Sequence, residues 1–109
     1  MTKYTVVVDA DAERDLDDIV EFISQHDSID RAIDVAARID QSISGLMTFP
    51  NRGAHARELL DYGNRDFREI HFKPYRILYR VVDRLVVVVL IADGRRDMQA
   101  LLTRRLLGV

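Results

Sequence analysis

The chain contains no cysteine, which removes both a disulfide framework and any thiolate metal site and fits a reducing compartment. No apolar run approaches the roughly 18 residues that a membrane-spanning helix requires. The opening stretch, MTKYTVVVDADAERDLDD, turns acidic too early for a secretory signal, so a cytoplasmic protein without membrane contact is expected. Internal repeats and low-complexity tracts are absent. So are a glycine-rich phosphate loop, a cluster of metal ligands and a Ser/His/Asp arrangement, and neither cofactor nor metal is expected. The 109 residues suffice for one domain, 1–109, with a single modest core.

What the chain does have is an uneven charge distribution. Residues 1–50 hold 4 Lys and Arg against 11 Asp and Glu, whereas residues 51–109 hold 12 against 7, so the halves carry −7 and +5 within a net charge of −2. A basic second half suits an anionic partner, either nucleic acid or an acidic protein segment; mutual neutralisation within the fold is the plainer alternative.

Local patterns place the elements. Lys3 to Asp9 is a short β-branched run, followed by aspartates able to cap a helix. Leu16, Ile19, Val20 and Ile23 recur at helical spacing between acidic flanks and predict a first amphipathic helix ending near His26. Ser28 or Asp30 caps a second, with Ala32, Ala36, Ile39, Ile43 and Leu46 as its apolar stripe and Phe49–Pro50 as its stop. Residues 51–64 show no period and read as loop, with a short turn around Ala56 to Leu60. Asp66 to Phe72 then alternates as a strand, and Lys73–Pro74 breaks it.

The richest segment is YRILYRVVDRLVVVVLIADGRRD, from Tyr75 to Asp97. Its second run is apolar on both faces, the mark of a strand inside a covered sheet, while the arginines of the first must reach an edge or surface. Asp83 and Arg84 leave room only for a hairpin. Asp97 caps a last helix with Met98, Leu101, Leu102 and Leu106 on its apolar side. The order is β, α, α, a three-stranded meander, then a short α. That predicts an α+β fold in which an N-terminal edge strand and a two-helix hairpin accompany a curved antiparallel sheet of three to four strands and a short C-terminal helix.

DLDDIVEFI in the first helix, LMTFPNRG closing the second, and REIHFKPYRILYRVVDRLVVVVLIADGRRD stand in the order and at the intervals of a known family. Across nearly the whole chain they resemble the ParE/RelE superfamily of bacterial type II toxin–antitoxin toxins. The resemblance implies a strongly curved sheet behind two N-terminal helices, and a toxin neutralised by a cognate antitoxin encoded beside it.

The superfamily's branches differ in chemistry. RelE-like members cleave mRNA on the ribosome, which takes a base for the ribose 2′-hydroxyl, cations for the phosphorane and an acid for the leaving oxygen. His71 is the candidate for proton transfer, and Arg68, Arg76, Arg80 and Arg96 for the cations; alternatively His71 is simply a strand-face residue. The resemblance also implies a tyrosine or histidine in the C-terminal segment, and MQALLTRRLLGV has neither. Asp93 stands where many relatives carry a histidine before the GRR element. Glu58, Glu69 and Asp93 read as charge partners for Arg68, Arg95 or Arg96.

These departures favour the ParE branch, whose members poison DNA gyrase and bring no chemistry of their own. On that reading Arg95, Arg96, Arg104 and Arg105 contact the target. A ParD-like antitoxin would fold an acidic C-terminal segment onto apolar side chains, with Leu101, Leu102, Leu106, Tyr75 and Tyr79, or exposed Leu and Ile of the first helices, as candidates. Ribosome and mRNA are the partners on the nuclease alternative. A third reading is a non-toxic binding module within an antitoxin complex.

Overall fold

The helices begin where short oxygen-bearing side chains satisfy their first backbone amides. Asp9 lies extended and accepts the Ala12 N–H at 2.9 Å, opening α1 over Ala10–His26. Ser28 accepts the Arg31 N–H at 3.0 Å and opens α2 over Ile29–Ser44, leaving Asp30 in the first turn where the helix dipole favours a carboxylate. Asp97 starts α4, Met98–Leu107, through the Ala100 N–H at 3.1 Å. All three caps lie at positions the sequence marks. The structure, a computed structural model, describes residues 3–107, the side chain of Leu107 excepted.

A five-stranded sheet runs in the order β1-β5-β4-β3-β2. Its strands are β1 (Thr5–Val8), β2 (Ala54–His55), β3 (Phe67–Phe72), β4 (Tyr75–Val82) and β5 (Leu85–Asp93). β1 is the expected edge strand and pairs parallel with β5; the other pairings are antiparallel. The strand beyond the expected three or four is β2, whose two residues oppose Arg68 and Glu69. Two residues carry no readable alternation, so only the pairing reveals them. Next to β2 the four-residue α3, Arg57–Leu60, occupies the turn expected around Ala56 to Leu60.

Covering of both sheet faces explains why β5 is aliphatic throughout. Against one face, α1 and α2 pack Ala12, Ile23, Val35 and Ile39 onto Ile70, Ile77, Tyr79, Val86 and Val88. Against the other, α3 and α4 pack Leu59, Met98, Leu101 and Leu102 onto Phe67, Leu78 and Leu90. Burying such a side chain contributes roughly 1.5–3 kcal/mol before entropy is counted. Leu78 pairs with Leu90 but Tyr79 pairs with Val88, so Val89 is an extra residue in the ladder. This bulge bends the pair and resets which β5 residues face the helices, Val88 before it and Ile91 after it. At the β4–β5 turn Asp83 takes a left-handed φ of 55°, a conformation that aspartate tolerates better than branched residues. A cis Lys73–Pro74 peptide occupies the β3–β4 turn.

The FPNRG glycine has a steric role. Gly53 passes so close beneath the sheet that a Cβ there would lie 2.5 Å from the Glu69 carbonyl oxygen and 2.8 Å from the Tyr79 hydroxyl. Its N–H donates to Tyr79 Oη at 3.0 Å, giving that fully buried tyrosine a partner.

Candidate functional site

The GRRD element turns the chain from β5 into α4. Asp93 organises it, accepting the Arg95 N–H at 2.9 Å and the Arg95 guanidinium at 2.5–3.2 Å. The arginine beside Asp93 holds its carboxyl below the usual carboxylate range. Gly94 allows Arg76 to lie underneath, since a Cβ there would meet Arg76 Cδ at 2.9 Å. Arg95, 79% exposed at its side chain, and Arg96 then border a cleft of about 360 Å³ that includes Asp18, Phe22, Tyr75 and Ile91. Burial, then the charge of Asp93, pushes the Tyr75 hydroxyl up.

Of the arginines expected to meet a target, Arg95, Arg96 and Arg104 are exposed, and Arg105 is not free. Its guanidinium takes both oxygens of Asp15, at 2.8 and 2.9 Å, and the Val89 carbonyl at 2.7 Å. Asp15 also accepts the Ile91 N–H at 3.0 Å, so one carboxylate ties α1, β5 and α4 together. The Arg105 assignment is therefore corrected: it is a clasp, because its donors are spent inside the fold.

Arg76 is occupied in the same way. It grips Glu58 in a two-pronged pair at 2.8 Å on each prong, and bonds Glu69 through Nε at 2.7 Å and again through Nη2. The three side chains are 14%, 22% and 11% exposed. The Arg76 bond lowers the Glu58 pKa despite the cost of burial, and the two carboxylates drive the arginine's pKa upward. Asp93 pairs with Arg95 as expected, whereas Glu58 and Glu69 choose Arg76 over the arginines named for them.

Apart from Arg76, the cationic nuclease candidates do not gather around His71. His71 opposes Arg76 in the strand register and stands 3.5 Å from Glu69. Arg68, one residue before Glu69, projects to the other face and donates to the carbonyls of Gly53 at 2.7 Å and Asn51 at 3.3 Å. Arg96 belongs to the cleft beside α1. Arg80 lies over the Phe67 ring, 5.7 Å from its centroid. What the sheet offers beside His71 is a neutralised arginine.

The expected antitoxin contacts need correction too. Tyr79, Leu101 and Leu102 are core residues, closed off by the helices on either face. Leu106 is half-buried and Tyr75 lines the cleft. The helical hairpin leaves apolar side chains exposed: Ile29 and Ile33, of the kind the alternative names, are 67% and 63% exposed, and Phe22 is 62% exposed; Phe49 and Tyr62, in the loops, are exposed as well. Phe22 stacks on His26, with ring centroids 4.1 Å apart.

Residues 6–98 match the family described as the ParE toxin of the type II toxin–antitoxin system parDE. The chain belongs to the ParE toxin family. Solved structures share the fold. A chromosomal ParDE toxin–antitoxin system from P. aeruginosa superposes with a TM-score of 0.71 at 16% identity, covering 85% of this chain and 98% of that one. The toxin–antitoxin complex RelBE2 of Mycobacterium tuberculosis gives 0.62 at 23% identity, covering 84% and 98%. An arginine-to-alanine double mutant of E. coli toxin RelE in the free state gives 0.64 at 14%, covering 98% of each. No curated protein matches significantly.

In this ParE-family chain, sequence reasoning missed Asp15 as the hub of a clasp, since its partner lies 90 residues away. Ile29 and Ile33 did leave a signal. They repeat at i and i+4 outside the Ala32, Ile39, Ile43 stripe, where an apolar pair has no core to enter.

Proposed function

We propose that this ParE-family toxin inhibits DNA gyrase without cleaving RNA, and that a cognate antitoxin silences it in the bacterial cytoplasm. The observation that carries this reading is the state of Arg76. A ribonuclease needs unspent cations on the face that presents its acid and base. Here the arginine next to His71 is held by two carboxylates, and the C-terminal segment after Asp97 supplies neither tyrosine nor histidine.

Of the arginines named for the target, Arg96 and Arg104 form no ion pair among the described residues and share a cleft, while Arg95, held by Asp93, stays 79% exposed beside them; these three would grip the target. The antitoxin would seat on Phe22, Ile29 and Ile33 and reach Tyr75 in the cleft, burying apolar area there. Its acidic residues would cover Arg96, so neutralisation and target access compete for one rim.

Purified protein added to gyrase and supercoiled plasmid is expected to cause cleaved DNA to accumulate, while ribosome-bound mRNA stays intact. Cut mRNA with undisturbed gyrase would overturn the reading.

A further inference from the structure

A second set of arginines lies at the other end of β4 from the GRRD corner. Arg65, Arg68 and Arg80 line a small cleft of about 220 Å³ with Asn51, His55 and Asp66; Val81 is its apolar wall. Unlike Arg76 and Arg105, none of the three forms an ion pair among the described residues. We propose that this cleft is a phosphate-binding site that grips the sugar-phosphate backbone of DNA.

Three observations carry the assignment. The Arg68 guanidinium is fixed before any ligand arrives, through the Gly53 and Asn51 carbonyls, and Gly53 is itself held by the Tyr79 hydroxyl. Arg80 lines the cleft from its rim, its guanidinium resting over the Phe67 ring on the opposite sheet face from Arg68, where it is oriented without being neutralised. His55 lines the same cleft, and its Nδ1 is buried without a hydrogen-bond partner, an unspent polar atom at a cationic site. Three arginines against the one carboxylate of Asp66 leave an excess of positive charge around the cleft, and the planar fork of arginine matches phosphate oxygens.

The lining decides between classes of anion. An acidic peptide gains affinity from apolar side chains entering pockets, and here only Val81 would receive them. The exposed apolar side chains Phe22, Ile29 and Ile33 belong to the helical hairpin, outside this cleft. A polyanion recognised through its charges alone suits what is present. DNA binding by the chain alone goes beyond the gyrase reading and does not depend on it.

The test is binding of the full chain to a short DNA duplex, followed by fluorescence anisotropy over a salt series without gyrase. Wild type should bind with an affinity that falls linearly as salt rises on logarithmic axes. The double variant Arg65→Ala/Arg80→Gln should reduce that slope by roughly two, about 0.9 for each phosphate no longer neutralised. Glutamine keeps an aliphatic stem on Phe67, and a thermal melt checks that the variant is folded. Arg38→Ala, on the exposed face of α2, should leave the slope unchanged. An unaltered slope in the folded double variant overturns the proposal. So does an absence of DNA binding, whether the cleft then responds to inorganic phosphate, to an acidic peptide or to neither. Gyrase poisoning measured separately fails or succeeds on its own.

Discussion

Arg76 and Arg96 look alike in the sequence, each an arginine beside the aliphatic run, yet the fold puts them to opposite uses. Arg76 lies low on the sheet with every prong engaged by Glu58 and Glu69. Arg96 stands at the rim of the α1 cleft, exposed. The same division separates Arg105, clasped by Asp15, from Arg104 beside it. An arginine's availability is thus set by where the fold puts its carboxylates. Motif position says little about it. In this chain the acidic surplus of the first half supplies Asp15, while Glu58 and Glu69 come from the basic half itself.

Substitution should separate clasped from open arginines most sharply at Arg76. Arg76→Ala leaves two carboxylates facing each other in a partly buried site, and should cost about 3–5 kcal/mol in urea unfolding. Arg104→Ala, on the exposed side of α4, should stay within about 0.5 kcal/mol. Equal losses would erase the distinction between clasp and rim. Arg105→Ala should fall between them, at roughly 1.5–3 kcal/mol, because it removes charged hydrogen bonds to Asp15 and another to the Val89 carbonyl.

Tyr79→Phe probes the loop that carries the second arginine set. It strips the buried Gly53 N–H of its acceptor and should cost about 1–3 kcal/mol, with faster amide exchange at Gly53 as the local sign. Unchanged exchange would show that the hydroxyl does not hold the loop.

The smallest effect concerns pH. Arg76 depresses the Glu58 pKa below its ordinary 4.5. The stability it contributes is fully present above that value and is lost as pH falls through the lower folded-state value. Glu58→Gln should therefore flatten the acid limb of the stability curve below about pH 4.5. An identical acid limb in the variant would mean that the pair is not coupled to folding.

Much of this architecture is legible because it is written locally. The caps at Asp9, Ser28 and Asp97, the α1 and α2 stripes and the Asp83–Arg84 turn each depend on neighbours within a few residues. What is not legible depends on distant partners. The Glu58–Arg76 pair spans 18 residues and the Asp15–Arg105 pair 90, and no local period records either. The Val89 bulge resets the facing of β5 inside a run so uniformly apolar that a change of side leaves no trace. Tyr79 reads as a contact residue because alternation shows which residues share a face, and says nothing about what covers that face. For the site, the GRRD rim is readable as a surface, whereas the neutralisation of Arg76 and Arg105 emerges only with the fold.

Whether the exposed arginines of the GRRD rim act on a target is decided by comparing gyrase-mediated plasmid cleavage by the wild type and by Arg95→Ala/Arg96→Ala, with thermal unfolding of both in parallel. The variant should melt close to wild type and no longer cause cleaved DNA to accumulate. A folded variant that still drives full cleavage would remove the rim as the surface that meets gyrase.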